Sequence, residues 1–301
     1  MLTLPQMAGG VEKLLARLPG PIRHPVEREW QPIASLFLHR RFPRLLVIGE
    51  PGAATEHWAR TLLRLPAGDN EPPQGYWQTC HGRGTLAVAI VECEAEARAA
   101  LAQARPDLFL YLAARETPEF ARLRGDTPAI FGEAPRETIL AAIGQALPLD
   151  ARLEFGRASG DPAVQWEIAA QLTRSCVAVS AAIGAQPIPL ADFPILTSLQ
   201  GLLVAGIVTA SGREWSAKLV RDFLAALGAN LGVAVLLREG ARAAVKLLPG
   251  FGNAISGAVA GAGTYAVGRA ASAYFMEGRP MAEVRRRFRW SRKKRPPELP
   301  G

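Results

Sequence analysis

One change of pattern near residue 160 constrains the fold of this chain more than any other feature. Between residues 44 and 158, short apolar runs alternate with segments whose apolar residues recur at helical spacing. The clearest run is Thr85–Cys93, with the sequence TLAVAIVEC. Such alternation predicts an α/β fold that is Rossmann-like, with a mainly parallel sheet and helices on both faces. After Asp161, apolar helical segments follow one another without a strand pattern, which predicts an all-α bundle or hairpin domain.

The individual elements follow from the same patterns. The predicted strands are Leu45–Gly49, Tyr76–Cys80 at an edge, Thr85–Cys93, Leu108–Ala113, Pro128–Gly132 and Arg152–Phe155. The predicted helices between them are Thr55–Leu65, Glu94–Arg105, Pro118–Leu123 and Arg136–Leu147. Later helices are predicted at Pro162–Ile183, Phe193–Ala210, Trp215–Leu227, Leu231–Leu248 and Asn253–Glu277. Prolines interrupt the first 42 residues, so only two short helices are predicted there, at Val11–Leu18 and Glu29–His39.

Length and composition are sufficient for two folded domains. The chain has 301 residues, of which 49% are hydrophobic and 21% charged, so it can bury a core. We divide it into an N-terminal extension (1–43), an α/β domain (44–160), a helical domain (161–278) and a basic disordered tail (279–301).

Positive charge is concentrated in the tail. Nine basic side chains lie between Arg279 and Arg295, against two acidic ones, Glu283 and Glu298, so the tail carries +7 of the net +8. A solvated tail, an anionic lipid surface and nucleic acid are the three interpretations. The near-neutral body favours lipid over nucleic acid. The candidate lipid-binding residues are Arg285, Arg286, Arg287, Arg289, Trp290, Arg292, Lys293, Lys294 and Arg295.

The helical domain contains three long stretches without charge. They lie between Phe193 and Arg213, between Phe223 and Leu237, and between Phe251 and Gly268. Glycines at G-x-x-x-G spacing occur in the pairs Gly257/Gly261 and Gly228/Gly232. Two interpretations remain open. The helices are either buried in a water-soluble bundle or associated with a membrane, as spans or as a hairpin, and the basic tail favours the membrane.

The segment RLLVIGEPGAATEHWARTLL places a buried strand, a loop and a helix in succession. It resembles the opening of an Era-like GTPase, whose loop G-x-x-x-x-G-K-[ST] holds phosphates and magnesium. Gly49 matches the first glycine, whereas Ala54 replaces the second glycine and Thr55 replaces the lysine. Glu56 stands at the hydroxyl position, and a slipped register that makes Thr55 the hydroxyl still supplies no lysine. The degenerate candidate nucleotide-binding residues are Gly49, Gly52, Ala54, Thr55, Glu56 and Glu92.

The other nucleotide motifs of that family are altered as well. Glu92 stands where D-x-x-G is expected, GEAPRE where N-K-x-D is expected, and LEFGRASG where S-A-[KL] is expected. No lysine occurs between Lys13 and Lys218, so the charge that compensates a triphosphate is missing. The resemblance therefore implies a G-domain fold without hydrolysis. The alternatives are a GTP- and magnesium-binding protein with unorthodox motifs, and a doubly wound domain that never bound nucleotide.

The second half resembles the uncharacterised YcjF-like domain that follows the G domain in a group of bacterial Era-like GTPases. Three blocks occur in order. The matching residues are Ile188, Pro189, Asp192, Leu196 and Gln200, then Lys246, Pro249, Gly250 and Gly252, then Gly268, Arg269, Tyr274 and Phe275. The resemblance covers about residues 165–277 and implies a helical, commonly membrane-associated module without known chemistry.

We find no pattern of an enzyme of another kind. The four histidines and three cysteines show no metal spacing or catalytic triad, so neither a catalytic residue nor a metal ligand is assigned. The sequence predicts a GTPase-like scaffold or interaction protein, without a cofactor, at the cytoplasmic face of the inner membrane. The alternatives are a GTP-binding protein and a soluble cytoplasmic interaction protein.

Overall fold

The structure is a computed structural model of the chain. It describes residues 3–18, 20–49, 54–65, 75–81, 83–112, 116–185, 192–228 and 252–288.

Five strands form one mixed sheet in the order β2-β3-β1-β4-β5. The strands are β1 (Arg44–Ile48), β2 (Trp77–His81), β3 (Thr85–Val91), β4 (Leu108–Tyr111) and β5 (Ala129–Phe131). β1 pairs in parallel with β3 and β4, β4 pairs in parallel with β5, and β2 joins the free side of β3 antiparallel. The predicted α/β class, with a mainly parallel sheet and an edge strand near Tyr76, is therefore confirmed.

Helices precede the sheet, alternate with its strands and follow it. The first two are α1 (Leu4–Leu15) and α2 (Gly20–Phe37). Those that alternate with strands or directly follow them are α3 (Ala54–Leu63), α4 (Glu94–Gln103), α5 (Pro118–Arg124), α6 (Arg136–Ala146) and α7 (Leu149–Ser159). The helices of the second half, after Asp161, are α8 (Pro162–Gly184), α9 (Asp192–Ala210), α10 (Ala217–Gly228), α11 (Gly252–Phe275) and α12 (Met281–Phe288). Every element after Asp161 in the described ranges is thus a helix, as the pattern predicts.

The two faces of the sheet contribute to two separate apolar clusters, because successive side chains of a strand point to opposite faces. Leu46 and Ile48 of β1 belong to the cluster that α4 and α5 cover. Leu45 and Val47 belong to the larger cluster, which continues through α3, α6 and α7 into the later helices. The α/β part and the helical part therefore share one continuous apolar core.

The first two helices belong to that larger core. Leu4, Val11 and Leu15 of α1 are buried, and α1 contacts α9. Trp30 and Phe37 of α2 are among the largest fully buried side chains, and α2 contacts α7 and α8. Both helices are longer than predicted, and α2 continues through two prolines.

α9 is the central helix of the second half. It contacts α1, α7, α8, α10 and α11, and all ten positions from Gly201 to Ala210 are buried. Burial on every side explains why this helix carries no charge between its first and last turns. Among the residues that the structure describes, no helix is both long enough and apolar enough to cross a membrane.

The glycine pair Gly257/Gly261 is used within the chain. A Cβ atom on Gly257 would lie 2.7 Å from the carbonyl oxygen of Ala181 in α8, and one on Gly184 would lie 2.5 Å from the Cβ of Ala260 in α11. The small residues therefore permit a close contact between α8 and α11. Gly232, of the second pair, lies outside the described residues.

Two predictions about secondary structure are wrong. Arg152–Phe155 is not a strand but part of α7, which packs against α2, α8 and β3. Its short apolar alternation also fits the buried side of a helix. The first part of the tail, predicted to be disordered, forms α12, because Val284 is fully buried and the Arg285 Nε donates to the Ala226 carbonyl oxygen at 2.8 Å. The predicted helix Leu231–Leu248 lies outside the described residues.

Candidate functional site

The carboxyl edge of the sheet is the candidate site. The chain leaves β3 on one side of β1 and returns as β4 on the other, so the carboxyl end of β1 is a topological switch point. Ligands of open α/β sheets bind at such points. Gly49 follows β1 here, and its N–H donates to the Val91 carbonyl oxygen at 3.1 Å, which places the end of β3 beside it.

Thr55 occupies the space directly above Gly49. Thr55 is 1% exposed, and a Cβ atom on Gly49 would lie 2.0 Å from the Thr55 Oγ1. Thr55 is the second residue of α3, whose first residue is Ala54. The position that holds the phosphate-binding lysine in the resembled loop therefore carries a short side chain packed against the loop's first glycine. Gly52 lies outside the described residues.

The two carboxylates predicted for this edge differ in surroundings. Glu56 is exposed and pairs with Arg60 one turn along α3, with Oε1 and Nε 2.9 Å apart. Glu92 directly follows β3, and its backbone N–H donates to Glu96 Oε2 at 2.8 Å at the beginning of α4. This contact satisfies one of the free N–H groups near a helix start. The described structure thus brings Gly49, Thr55 and Glu92 to one edge of the sheet.

A linked set of side chains at the same edge was missed by the sequence analysis. The Tyr111 hydroxyl donates to Glu116 Oε1 at 2.6 Å, and Arg124 Nε donates to the same oxygen at 2.8 Å. Burial, and then the bond to Glu116, raise the pKa of Tyr111, whereas the Arg124 guanidinium lowers the pKa of Glu116. Tyr111 at a strand end is the one sequence signal for this set, which we call the Tyr111 network.

Aromatic rings fill the space beside that network. Tyr111 stacks on Phe131, with ring centroids 5.3 Å apart, and Phe131 is 39% exposed. Gly132, directly after β5, lies under the Trp58 ring of α3, since a Cβ atom there would be 2.5 Å from Trp58 Cζ2. The region in which GEAPRE was compared with a base-reading motif is therefore packed against an indole ring.

The segment LEFGRASG lies away from this edge. Its residues 153–159 are in α7, and Gly84 at the start of β3 packs so closely on α7 that a Cβ atom would lie 2.6 Å from the Glu154 carbonyl oxygen. The comparison with the S-A-[KL] motif is therefore wrong, because the segment contacts the amino end of β3 and not the switch point.

The described residues of the YcjF-like blocks make helix–helix contacts. Gln200 Nε2 donates to Thr264 Oγ1 at 3.4 Å, and Thr264 Oγ1 donates to Ser180 Oγ at 2.8 Å, which joins α9, α11 and α8. Arg269 lies over the Trp166 ring, 5.5 Å from its centroid. Tyr274 and Phe275 both pack against Phe223 of α10. The residues of these blocks from 188 to 190 and from 246 to 250 lie outside the described structure.

The structure describes the candidate lipid-binding residues of the tail only as far as residue 288. Arg285 is half-buried through its bond to α10, whereas Arg286 and Arg287 are exposed on α12. The remaining candidates lie outside the described structure: Arg289, Trp290, Arg292, Lys293, Lys294 and Arg295.

No group of His, Cys, Asp and Glu in the described part of the chain could hold a metal ion. Comparisons with protein-family models, with curated proteins and with solved structures found no match for this chain.

Proposed function

We propose that this protein is a GTPase-like interaction protein that does not hydrolyse GTP and that works at an anionic membrane surface. The observation that carries the proposal is the combination of strand order and loop position. The order β2-β3-β1-β4-β5, with β2 antiparallel, agrees with the G-domain topology that the sequence resemblance implies, and the loop between Gly49 and Ala54 follows the central strand. Because a fold does not by itself fix a function, the chemistry of the loop decides whether such a domain can hydrolyse GTP.

The chemistry at the loop supports the absence of hydrolysis. A bound triphosphate needs a cation at its β- and γ-phosphates and a metal-binding hydroxyl and carboxylate. Thr55 supplies no charge and is packed on Gly49, and Glu56 adds a negative charge at the same end of α3. The magnesium-linked position carries Glu92 without a following glycine.

A nucleotide titration tests this proposal. We expect no calorimetric signal for GTP, GDP or ATP, with or without Mg²⁺, at ligand concentrations of about 1 mM, which corresponds to binding weaker than about 4 kcal/mol. The matched variant Ala54→Gly, Thr55→Lys, Glu56→Ser restores the loop motif and is expected to bind GDP measurably. A micromolar dissociation constant for the natural chain would contradict the proposal and make it a GTP-binding protein. A folded triple variant that ignores GDP would instead indicate a sheet domain unrelated to G domains.

The membrane part of the proposal depends on α12 and the residues after it. Burial of Val284 anchors α12 to the helical part, and the exposed Arg286 and Arg287 continue the basic sequence towards Arg295. Basic clusters attached to a folded body bind anionic lipid surfaces through the surface potential. A soluble interaction protein remains the second candidate, and vesicle binding separates the two.

A further inference from the structure

A cavity of about 290 Å³ lies at the amino edge of the sheet, opposite the switch point. Its walls come from the end of α3, from β2, from the turn between β2 and β3, and from the end of α7. Leu63, Leu65 and Leu86 give it an apolar side, and Arg64, Arg83 and Ser159 give it a polar side. Small-molecule pockets begin at about 300 Å³, so the cavity suits a small ligand.

The polar side of the cavity carries positive charge. Neither Arg64 nor Arg83 has an ion-pair partner among the described residues. Both side chains lie on the exposed rim of the cavity, where a charged ligand group could reach them from solvent. Each therefore places a positive charge at the mouth of the cavity.

Further cations lie behind the wall formed by the end of α7. Arg157 Nε and Arg136 Nη2 are buried without a hydrogen-bond partner in the described structure. Arg157 Nη1 lies 3.8 Å from Glu154 Oε1, but Glu154 also accepts from Arg40 and from the Thr85 N–H. Asp161 accepts from the N–H groups at the start of α8 and lies 3.7 Å from Arg136. Glu214 is a third carboxylate that interacts with Arg157. Among the described residues, the excess of positive charge at this edge therefore comes from Arg64 and Arg83, and it favours an anion.

The backbone at Arg64 is held in a conformation that Gly and Asn favour. Its φ is +51°, and Leu65 N–H donates to the Arg60 carbonyl oxygen at 3.0 Å to close the end of α3. This conformation brings Arg64 Nη1 within 4.0 Å of the Cβ position of Gly160, at the far wall of the cavity. Unusual backbone conformations of this kind concentrate at ligand sites.

We propose that this cavity binds a small molecule with an apolar body and a phosphate or carboxylate group. Arg64 and Arg83 hold the anionic group, and the leucine side contacts the body. The site is separate from the switch point, since it lies at the opposite edge of the sheet. Its walls include both the sheet and the end of α7, the helix that leads into α8.

The test uses phenyl phosphate, benzoate and phenol as probes of the full chain. We expect phenyl phosphate or benzoate to bind with a dissociation constant below about 1 mM, and phenol, which lacks the charge, to bind at least about tenfold more weakly. The stronger of the two anions identifies the class of anionic group. In an amide NMR titration, the largest shifts are expected at Gly84 and Gly160.

Arg64→Asn is the decisive variant, because Asn accepts the left-handed conformation and the chain should fold at least as stably as the natural one. We expect it, and Arg83→Gln, to weaken binding of the anionic probe at least about tenfold. Arg122→Gln, at an exposed arginine on α5, is the matched control and should leave binding unchanged. Equal affinity in Arg64→Asn, Arg83→Gln and the natural chain would overturn the proposal. So would the absence of binding by both anions at about 10 mM.

Discussion

At the scale of single residues, the carboxyl edge is defined by side chains that engage one another. Thr55 packs on Gly49, Trp58 covers Gly132, and Glu116 joins Tyr111 to Arg124. A nucleotide site needs donors directed at an empty cradle, whereas the polar groups of the Tyr111 network already have partners within the protein. This arrangement favours a structural role for the edge and agrees with the proposed absence of hydrolysis.

The Tyr111 network predicts a pH dependence of stability. Arg124 lowers the pKa of Glu116, so the unfolded chain binds a proton more readily than the folded one. The contribution of Glu116 to stability is therefore complete above the unfolded pKa, about 4.3, and is lost as the pH falls through the lower folded pKa. We expect Glu116→Gln to destabilise the fold by about 1 kcal/mol at pH 7, and the difference from the natural chain to shrink below about pH 4.

Urea unfolding between neutral and acidic pH measures this difference. Glu12→Gln, at an exposed position of α1, is the control and should change little over the same pH range. A loss for Glu116→Gln that is equally large in acid and at neutral pH would show that the charge of Glu116 is not the cause.

At the scale of elements, the sequence pattern predicted secondary structure correctly where the local run of apolar residues matches the burial of the strand or helix. The runs at β1, β3 and β4 are buried on both faces and were predicted from their continuous apolar character. The error at Arg152–Phe155 arose because α7 is buried against α2 and α8, contacts that no local window contains. Similarly, α2 continues through Pro25, which lies before the start of the predicted helix Glu29–His39.

In the candidate site, too, residues of one local segment could be predicted, whereas contacts between distant segments could not. Gly49 and Thr55 were predicted because the loop directly follows a buried strand. Glu116 and Arg124 could not be predicted, since their contact with Tyr111 depends on how α5 folds back onto the end of β4. The arginines of the amino-edge cavity belong to segments about 20 residues apart, and only the sheet brings them together.

The contact between α8 and α11 allows a test at this scale. A methyl group on Gly257 would lie 2.7 Å from a backbone oxygen of α8, whereas Gly263 in the same helix has open space around its Cβ position. We expect Gly257→Ala to destabilise the fold by about 1–3 kcal/mol through overpacking. Gly263→Ala should instead stabilise it by up to about 1 kcal/mol through helix propensity. Thermal and urea unfolding of the two variants measure the contrast, and equal effects would mean that α8 and α11 do not pack this closely.

At the scale of the whole molecule, burial joins the two halves, and a set of ion pairs fixes the segment between α2 and β1. Arg41 donates to both carboxylate oxygens of Asp107, at 2.6 and 2.7 Å, and to Asp150 at 2.8 Å. This set links the end of α2 to the amino edge of the sheet and to α7, while α1 and α2 pack against the later helices. The N-terminal section therefore connects the sheet to the helical part.

The basic end of the chain provides the test of membrane binding, and α12 decides where the chain should be shortened. A chain ending at Gly278 loses the buried Val284 and the bond from Arg285 to α10, so it is expected to be less stable. A chain ending at Phe288 keeps α12 and lacks the five basic side chains Arg289, Arg292, Lys293, Lys294 and Arg295. Each basic side chain near an anionic surface contributes on the order of 1 kcal/mol. Loss of only two such contacts should then weaken binding about 30-fold.

We expect the full chain to bind phosphatidylserine-containing vesicles, to bind pure phosphatidylcholine vesicles weakly, and to lose binding as salt rises, since charges on a surface are screened over a Debye length. The chain ending at Phe288 should keep its unfolding midpoint and bind the anionic vesicles more weakly in a sedimentation assay. Equal binding by the two chains at low salt would contradict a lipid role for the residues after Phe288. Tight binding of RNA that is lost on the same shortening would make nucleic acid the partner, with Trp290 positioned in the sequence to stack on a base.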